Sequence, residues 1–181
     1  MLRTSLIKTA RWLIPLMVFG LVGCGVTQSV TDGTQSVFNS LFYKKVKILR
    51  LDFTAREELN TDSRESHSLS ESVIVRVYQL KDRKAFDNTV YQQLLQDDGM
   101  MLKADLLASR DVVVKPGADV SLDMPMEEDT QFVAVAGFFR HPDRVANTWK
   151  RVIEREMLLP DKPRILEAGN NYLTLQPIKD N

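Results

Sequence analysis

Few side chains in this 181-residue sequence could do chemistry. Its histidines are His67 and His141, its one cysteine is Cys24, and its adjacent carboxylates include Glu57–Glu58, Asp97–Asp98 and Glu127–Glu128. Nucleophilic catalysis needs an attacking group, a base that takes its proton and a third group that orients the base. His67 sits among Ser66, Ser68 and Ser70, and His141 opens a His-Pro-Asp turn. Serine and aspartate are common enough to stand near any histidine, and no G-x-S-x-G elbow accompanies either one. Glycoside hydrolysis needs two carboxylates roughly 5–9 Å apart across a cleft. Sequence neighbours on polar connections more simply keep a surface solvated. H-x-x-x-H, C-x-x-C, acidic calcium-loop and glycine-rich phosphate motifs are all missing. The expectation is no catalytic residue, no metal site and no cofactor.

Cys24 differs, because its surroundings form a pattern. Arg3, Lys8 and Arg11 precede WLIPLMVFGLVG, an uncharged apolar block at 12–23. A membrane-spanning helix needs roughly 20 such residues, since each adds only ~1.5 Å to a crossing of ~30 Å. Twelve suit the middle of a signal peptide, yet no A-x-A-like cleavage site follows. LVGC at 21–24 instead resembles the lipobox of bacterial lipoproteins. That resemblance implies a leader over 1–23, cleavage before Cys24 and acylation of its sulfur. One acyl chain holds only marginally, whereas the several chains of this class hold durably. Gly25 follows in place of the aspartate that resembles an inner-membrane retention signal, so the expected destination is the outer membrane, facing the periplasm. Removing 1–23 leaves 21 basic against 24 acidic residues, a formal charge of −3. That balance supplies no basic field for nucleic acid.

The elements that position these residues are mostly strands. Residues 24–43 are rich in Ser, Thr, Gln and Gly and read as a lipidated cysteine with a flexible tether, with Val37, Phe38, Leu41 and Phe42 beginning to dock. In VKILRLDFTA (46–55), Leu49, Leu51 and Phe53 share a face. The polar run 56–71 has no period and reads as a long loop, of the kind that often carries function. SVIVRVYQL (72–80) is a central strand, with Val73, Val75 and Val77 on one side. Phe86, Val90 and Leu94 then recur at helical spacing, with Tyr91 and Leu95 beside them, predicting a helix over 85–97 that Asp82 could cap. MLKADLLA (101–108) reads as a second short helix. Strands follow at 111–117, ending in a Pro-Gly turn, then at 118–126, 131–139, 148–154 and 171–178, the last after the turn EAGN. Seven strands with the helical excursion inserted between the second and third predict a mainly β, two-sheet sandwich, occupying 44–181 with its helical insertion at 83–108.

Several stretches together resemble the TssJ (SciN) family, outer-membrane lipoproteins of the type VI secretion system's membrane complex. They are LN-x-D at 59–62, VIVRVYQLKD at 73–82 with AF at 85–86, DLLASRDVVVKPG at 105–117, QFVAVAGFFR at 131–140 and TWK at 148–150. The resemblance implies a transthyretin-like β-sandwich without catalysis that binds the periplasmic C-terminal domain of TssM and links the complex to the outer membrane. It also implies that the loop between the first two strands, 56–71 here, makes the contact, with Asn60, Asp62 and Arg64 carried over as contact residues. In that loop the family's Asn-Pro-Asp is replaced by Asn60-Thr61-Asp62, and SRESHSLS lacks its Gly-Arg-Pro-Ser segment. Two other readings compete. A solute- or glycan-binding lipoprotein needs a pocket rich in aromatic groups, for which Trp149 is the only tryptophan after the leader. A lipid-anchored hydrolase needs His67 or His141 to meet a carboxylate and a nucleophile in a cleft.

Overall fold

A computed structural model describes residues 46–62, 64, 68–96 and 100–178. Cys24, the leader 1–23, the tether 24–43, His67 and the Asp97–Asp98–Gly99 segment lie outside the described residues. Eight strands form two sheets of four. One sheet is ordered β4 (Asp119–Pro125), β1 (Ile48–Ala55), β7 (Arg164–Gly169), β8 (Tyr172–Leu175). The other is β3 (Leu106–Val114), β2 (Val73–Leu80), β5 (Phe132–Phe138), β6 (Lys150–Glu154). All neighbours are antiparallel except β1 and β7, which run parallel.

Alternating side chains close the space between the sheets. Leu49, Leu51 and Phe53 of β1 are fully buried, beside Leu122 and Met124 of β4 and Leu166 of β7. Val73, Val75 and Val77 of β2 meet them from the opposite sheet, flanked by Val112, Val114 and Val135. Each large apolar side chain removed from water in this way stabilises the fold by about 1.5–3 kcal/mol. The expected central strands β2 and β5 are central. Gly117 has a φ of 65° in the turn between β3 and β4, the conformation that the Pro-Gly pair predicts. Edge strand β3 carries Arg110 opposite the inward-facing Val77 yet exposed. A charge pointing inward at a sheet edge discourages further strands from pairing there.

The structure corrects the sequence reading in three places. The strand count is eight among the described residues: β7 is the addition, and Gly169 of the anticipated EAGN turn is its last residue. Its first inward position is the buried Arg164, which breaks the apolar alternation that would have marked it. Residues 101–108 do not form a helix. A 3-10 turn at Met100–Leu102 leads directly into β3 from Leu106, so the insertion is shorter than 83–108. The anticipated helix over 85–97 is two short helices, α1 (Lys84–Asn88) and α2 (Tyr91–Gln96). Thr89 breaks the run with an extended backbone, and Val90 and Leu95 consequently face solvent rather than the core. Asp82 does serve the start of α1, accepting the Lys84 N–H at 2.7 Å.

Both helices are fastened to the outward face of the β2–β5–β6 sheet. Phe86 packs on Tyr78, and Tyr91 meets Trp149 edge-on at 5.0 Å while donating its hydroxyl to the Phe139 carbonyl. Burial pushes the Tyr91 phenol up to about 12. Lys150 Nζ donates to the carbonyls of Phe86, Asp87 and Thr89, supplying partners for the groups that the end of α1 leaves open. Among the described residues no helix is long and apolar enough to cross a membrane.

Candidate partner-binding site

The topology gives the sandwich two distinct ends. Val46, the first described residue, lies beside the end of β4, where the Met126 N–H meets the Lys47 carbonyl. Because β7 runs parallel to β1, the segment before it leads from this same end, and its first residue Arg164 stands opposite Leu51. The 56–71 loop leaves from the far end of β1, after eight residues of strand, or roughly 26 Å. There it meets the β3–β4 turn, through Gly117 N–H to the Arg56 carbonyl, and the β7–β8 turn, through Arg56 N–H to the Ala168 carbonyl.

The described part of this loop is pinned at its base. Leu59, Asn60, Thr61 and Asp62 are all buried. Asn60 has a φ of 52°, a region in which asparagine is tolerated better than most residues. Its Nδ2 donates to the Ser72 carbonyl (3.1 Å), and its Oδ1 accepts the Arg140 N–H (2.7 Å). Thr61 gives its N–H and hydroxyl to Asn170 Oδ1, and its carbonyl accepts Asn171 Nδ2. The Glu71 N–H returns to the Leu59 carbonyl, closing the base of the loop on itself.

Asp62 turns this base into a charged node. Arg64 places Nε on Asp62 Oδ1 and Nη2 on Oδ2, each at 3.0 Å, and its own N–H also donates to Oδ1. His141 Nε2 lies 2.9 Å from Asp62 Oδ2 and 2.9 Å from Arg64 Nη2. The Arg64 side-chain and backbone bonds hold the Asp62 carboxyl well below its ordinary 3.8. Of the three anticipated contact residues, Arg64 is 73% exposed, whereas Asn60 and Asp62 face inward and build the loop. Leu69, not anticipated, is 78% exposed on the same loop. Asn170, Asn171 and Arg140 were also not singled out. Their one sequence signal was turn chemistry, at EAGN and at the His-Pro-Asp turn.

His141 therefore does meet a carboxylate, the first requirement of a hydrolytic triad. In such a triad the carboxylate engages one ring nitrogen and the nucleophile the other. Here carboxylate and guanidinium both crowd Nε2, and Arg64 Nη2 is also 3.4 Å from Nδ1. No group of three or more potential metal ligands occurs among the described residues. A groove of about 390 Å³, lined by residues including Leu159, Lys162, Arg164 and Ile178, lies at the other end of the sandwich.

The family described as "Type VI secretion lipoprotein, VasD, EvfM, TssJ, VC_A0113" matches residues 47–170. The chain belongs to the type VI secretion lipoprotein (TssJ) family. The match spans the sandwich from β1 through β7 and includes the whole 56–71 loop. The lipoprotein is similar to a chain in a solved structure described as "Type VI membrane complex", with 43% identity over 73% of this chain and 99% of that one, at a TM-score of 0.68. It is also similar to a chain in the structure "T6SS protein TssM C-terminal domain (869-1107) from EAEC", with 41% identity over 74% of this chain and 100% of that one, at a TM-score of 0.66. TssJ1 from Pseudomonas aeruginosa, at 20% identity over 74% of this chain and 99% of that one and a TM-score of 0.57, shares the fold. No curated protein matches the sequence.

Proposed function

We propose that this lipoprotein is a non-enzymatic adaptor: acylated at Cys24, it is held to the inner surface of the outer membrane and grips the periplasmic C-terminal domain of TssM with its far end. The separation of the two ends carries the reading. Val46, the first described residue on the Cys24 side of the chain, lies at the end where β1 begins, and the 56–71 loop leaves the opposite end. An anchored domain therefore offers the loop to whatever approaches from the periplasm.

The identity of that partner is supported by an arithmetic point. The span 869–1107 of the TssM domain is longer than this whole 181-residue chain, yet 74% of this chain covers all of the matched one. The matched chain is therefore too short to be that TssM domain, and a TssJ-like companion of it is the reading we adopt. On this view residues 1–23 are the leader, 24–43 the lipidated tether and 44–181 the folded module. No step of the work requires catalysis, since recognition, anchoring and force transmission are all non-covalent once the acyl groups are in place.

Two variants test the halves separately. Replacing residues 1–24 by a leader with a conventional A-x-A cleavage site should leave a folded protein in the soluble periplasmic fraction; its retention in the membrane fraction would defeat the lipid anchor. Leu69→Asp should abolish capture of the TssM domain by the full chain without moving its melting temperature, because that side chain is 78% exposed. Undiminished capture would remove the loop from the interface.

A further inference from the structure

We infer that the β5–β6 loop, residues 139–149, is the second half of the partner-binding face, inserting Val145 into an apolar socket with an acidic rim on the same partner. This inference rests on the adaptor reading of the 56–71 loop and extends it to a segment that begins 68 residues further along the chain.

Size makes a second segment necessary. A stable, specific interface uses about 20–30 residues on each side. The 56–71 loop is too short for that, and Leu59 to Asp62 are buried against their own domain. Its neighbours must supply the remainder, and the β5–β6 loop is joined to it directly. Asn60 holds the Arg140 N–H, Arg140 pairs with Glu71 at 3.2 Å, and His141 lies on both Asp62 and Arg64. A partner that covers Arg64 and Leu69 thus approaches a surface continuous with 140–147.

The loop is built to display its tip. Asp143 Oδ1 accepts the N–H groups of Val145 and Ala146, at 2.9 and 2.8 Å, fixing the turn from within. Asn147 takes a φ of 52° and accepts the Trp149 indole N–H. Trp149 itself is fully buried and packed by Tyr91, so the loop stands on a rigid base. The result is a valine 95% exposed on an ordered turn. Ordering such a segment beforehand lowers the entropy lost on binding. A single exposed apolar residue means little. Here it lies beside Arg144, on the loop that also carries Arg140, with Arg64 and Leu69 on the adjoining loop. That combination of apolar tips and cations fits a socket whose rim carries carboxylates, which Arg144, lying 5.7 Å over the Tyr91 ring, is placed to meet.

The test uses the full chain in detergent and measures its affinity for the periplasmic C-terminal domain of TssM. Val145→Asp should weaken binding at least about tenfold, with an unchanged melting temperature because the side chain is almost fully exposed. Arg144→Glu should weaken binding and flatten its salt dependence. The parallel control is Leu69→Asp. If Val145→Asp binds within twofold of the natural sequence while Leu69→Asp fails, the second arm does not exist and the first loop stands alone. If Val145→Asp fails while Leu69→Asp binds normally, the second arm stands and the assignment of the 56–71 loop is the one overturned. Normal binding by both overturns both.

Discussion

Buried polar side chains gather at both ends of the sandwich, and the two sets serve different purposes. At the end where β1 begins, Arg155 donates through one Nη1 to the carbonyls of Glu127, Glu128 and Thr130. Gln79 donates to the Pro125 carbonyl and accepts from the Glu127 N–H and the Thr130 hydroxyl. Arg164 donates to the carbonyls of Met157 and Gln176. Each of these groups is spent on the domain's own backbone. At the loop end Asn60 and Thr61 are equally buried and likewise bond the domain's own backbone and turn asparagines, but Asp62 beside them holds Arg64 and His141, whose side chains reach solvent. One end uses buried polarity to seal itself. The other uses it to hold charged groups in a fixed arrangement on its surface. On the proposed function, this difference separates an end that only has to be stable from an end that has to be recognised.

The contrast can be broken most forcefully at Arg155. Replacing it with methionine leaves carbonyls without their donor, at a cost of about 3 kcal/mol or more. Thermal unfolding should shift strongly downward, while TssM capture at low temperature stays intact. A large loss of capture in the still-folded variant would mean that the two ends are not independent. Asn60→Ala is expected to have a smaller effect, of about 2 kcal/mol, through two lost hydrogen bonds and a strained left-handed backbone. Here the losses should coincide: lower melting temperature and weaker capture together, with raised amide exchange confined to 59–71. Exchange spread evenly over the sandwich would contradict a locally pinned loop.

The subtlest effect is the dependence on pH. Asp62 is held below its ordinary 3.8 by Arg64, so its contribution is fully present above about pH 4 and is lost as pH falls through the depressed folded-state value. Amide protection at 59–62 should therefore be level from neutrality down to about pH 4 and decline below it. In Asp62→Asn that acid-dependent decline should vanish. An unchanged profile in that variant would show that another carboxylate controls the loop.

How much of this was legible in the sequence depends on whether polarity tracked exposure. Where it did, the strands could be read: Leu49, Leu51 and Phe53, or Leu122 and Met124, are inward as their alternation requires. Where it did not, the reading failed. Arg164 occupies an inward strand position, and β7 was missed with it. Val90 keeps helical spacing with Phe86 and Leu94, but Thr89 ends the first helix and turns Val90 outward. The loop shows the same limit on a larger scale. Its composition marked it as a functional connection. That Asn60 and Asp62 would turn inward could not be seen, because their partners Arg140 and His141 are about eighty residues away. The contact residues implied by family resemblance thus divide, with Arg64 presented to solvent and the other two supporting it.

The central claim is directional: the loop end, and not the end where β1 begins, meets TssM. Site-specific photocrosslinking in cells tests it most directly, with a benzophenone side chain at position 69 in one strain and at position 48, the exposed first residue of β1, in another. The account predicts a crosslink to the periplasmic domain of TssM from position 69 and none from position 48. A crosslink from position 48 with none from position 69 would contradict it.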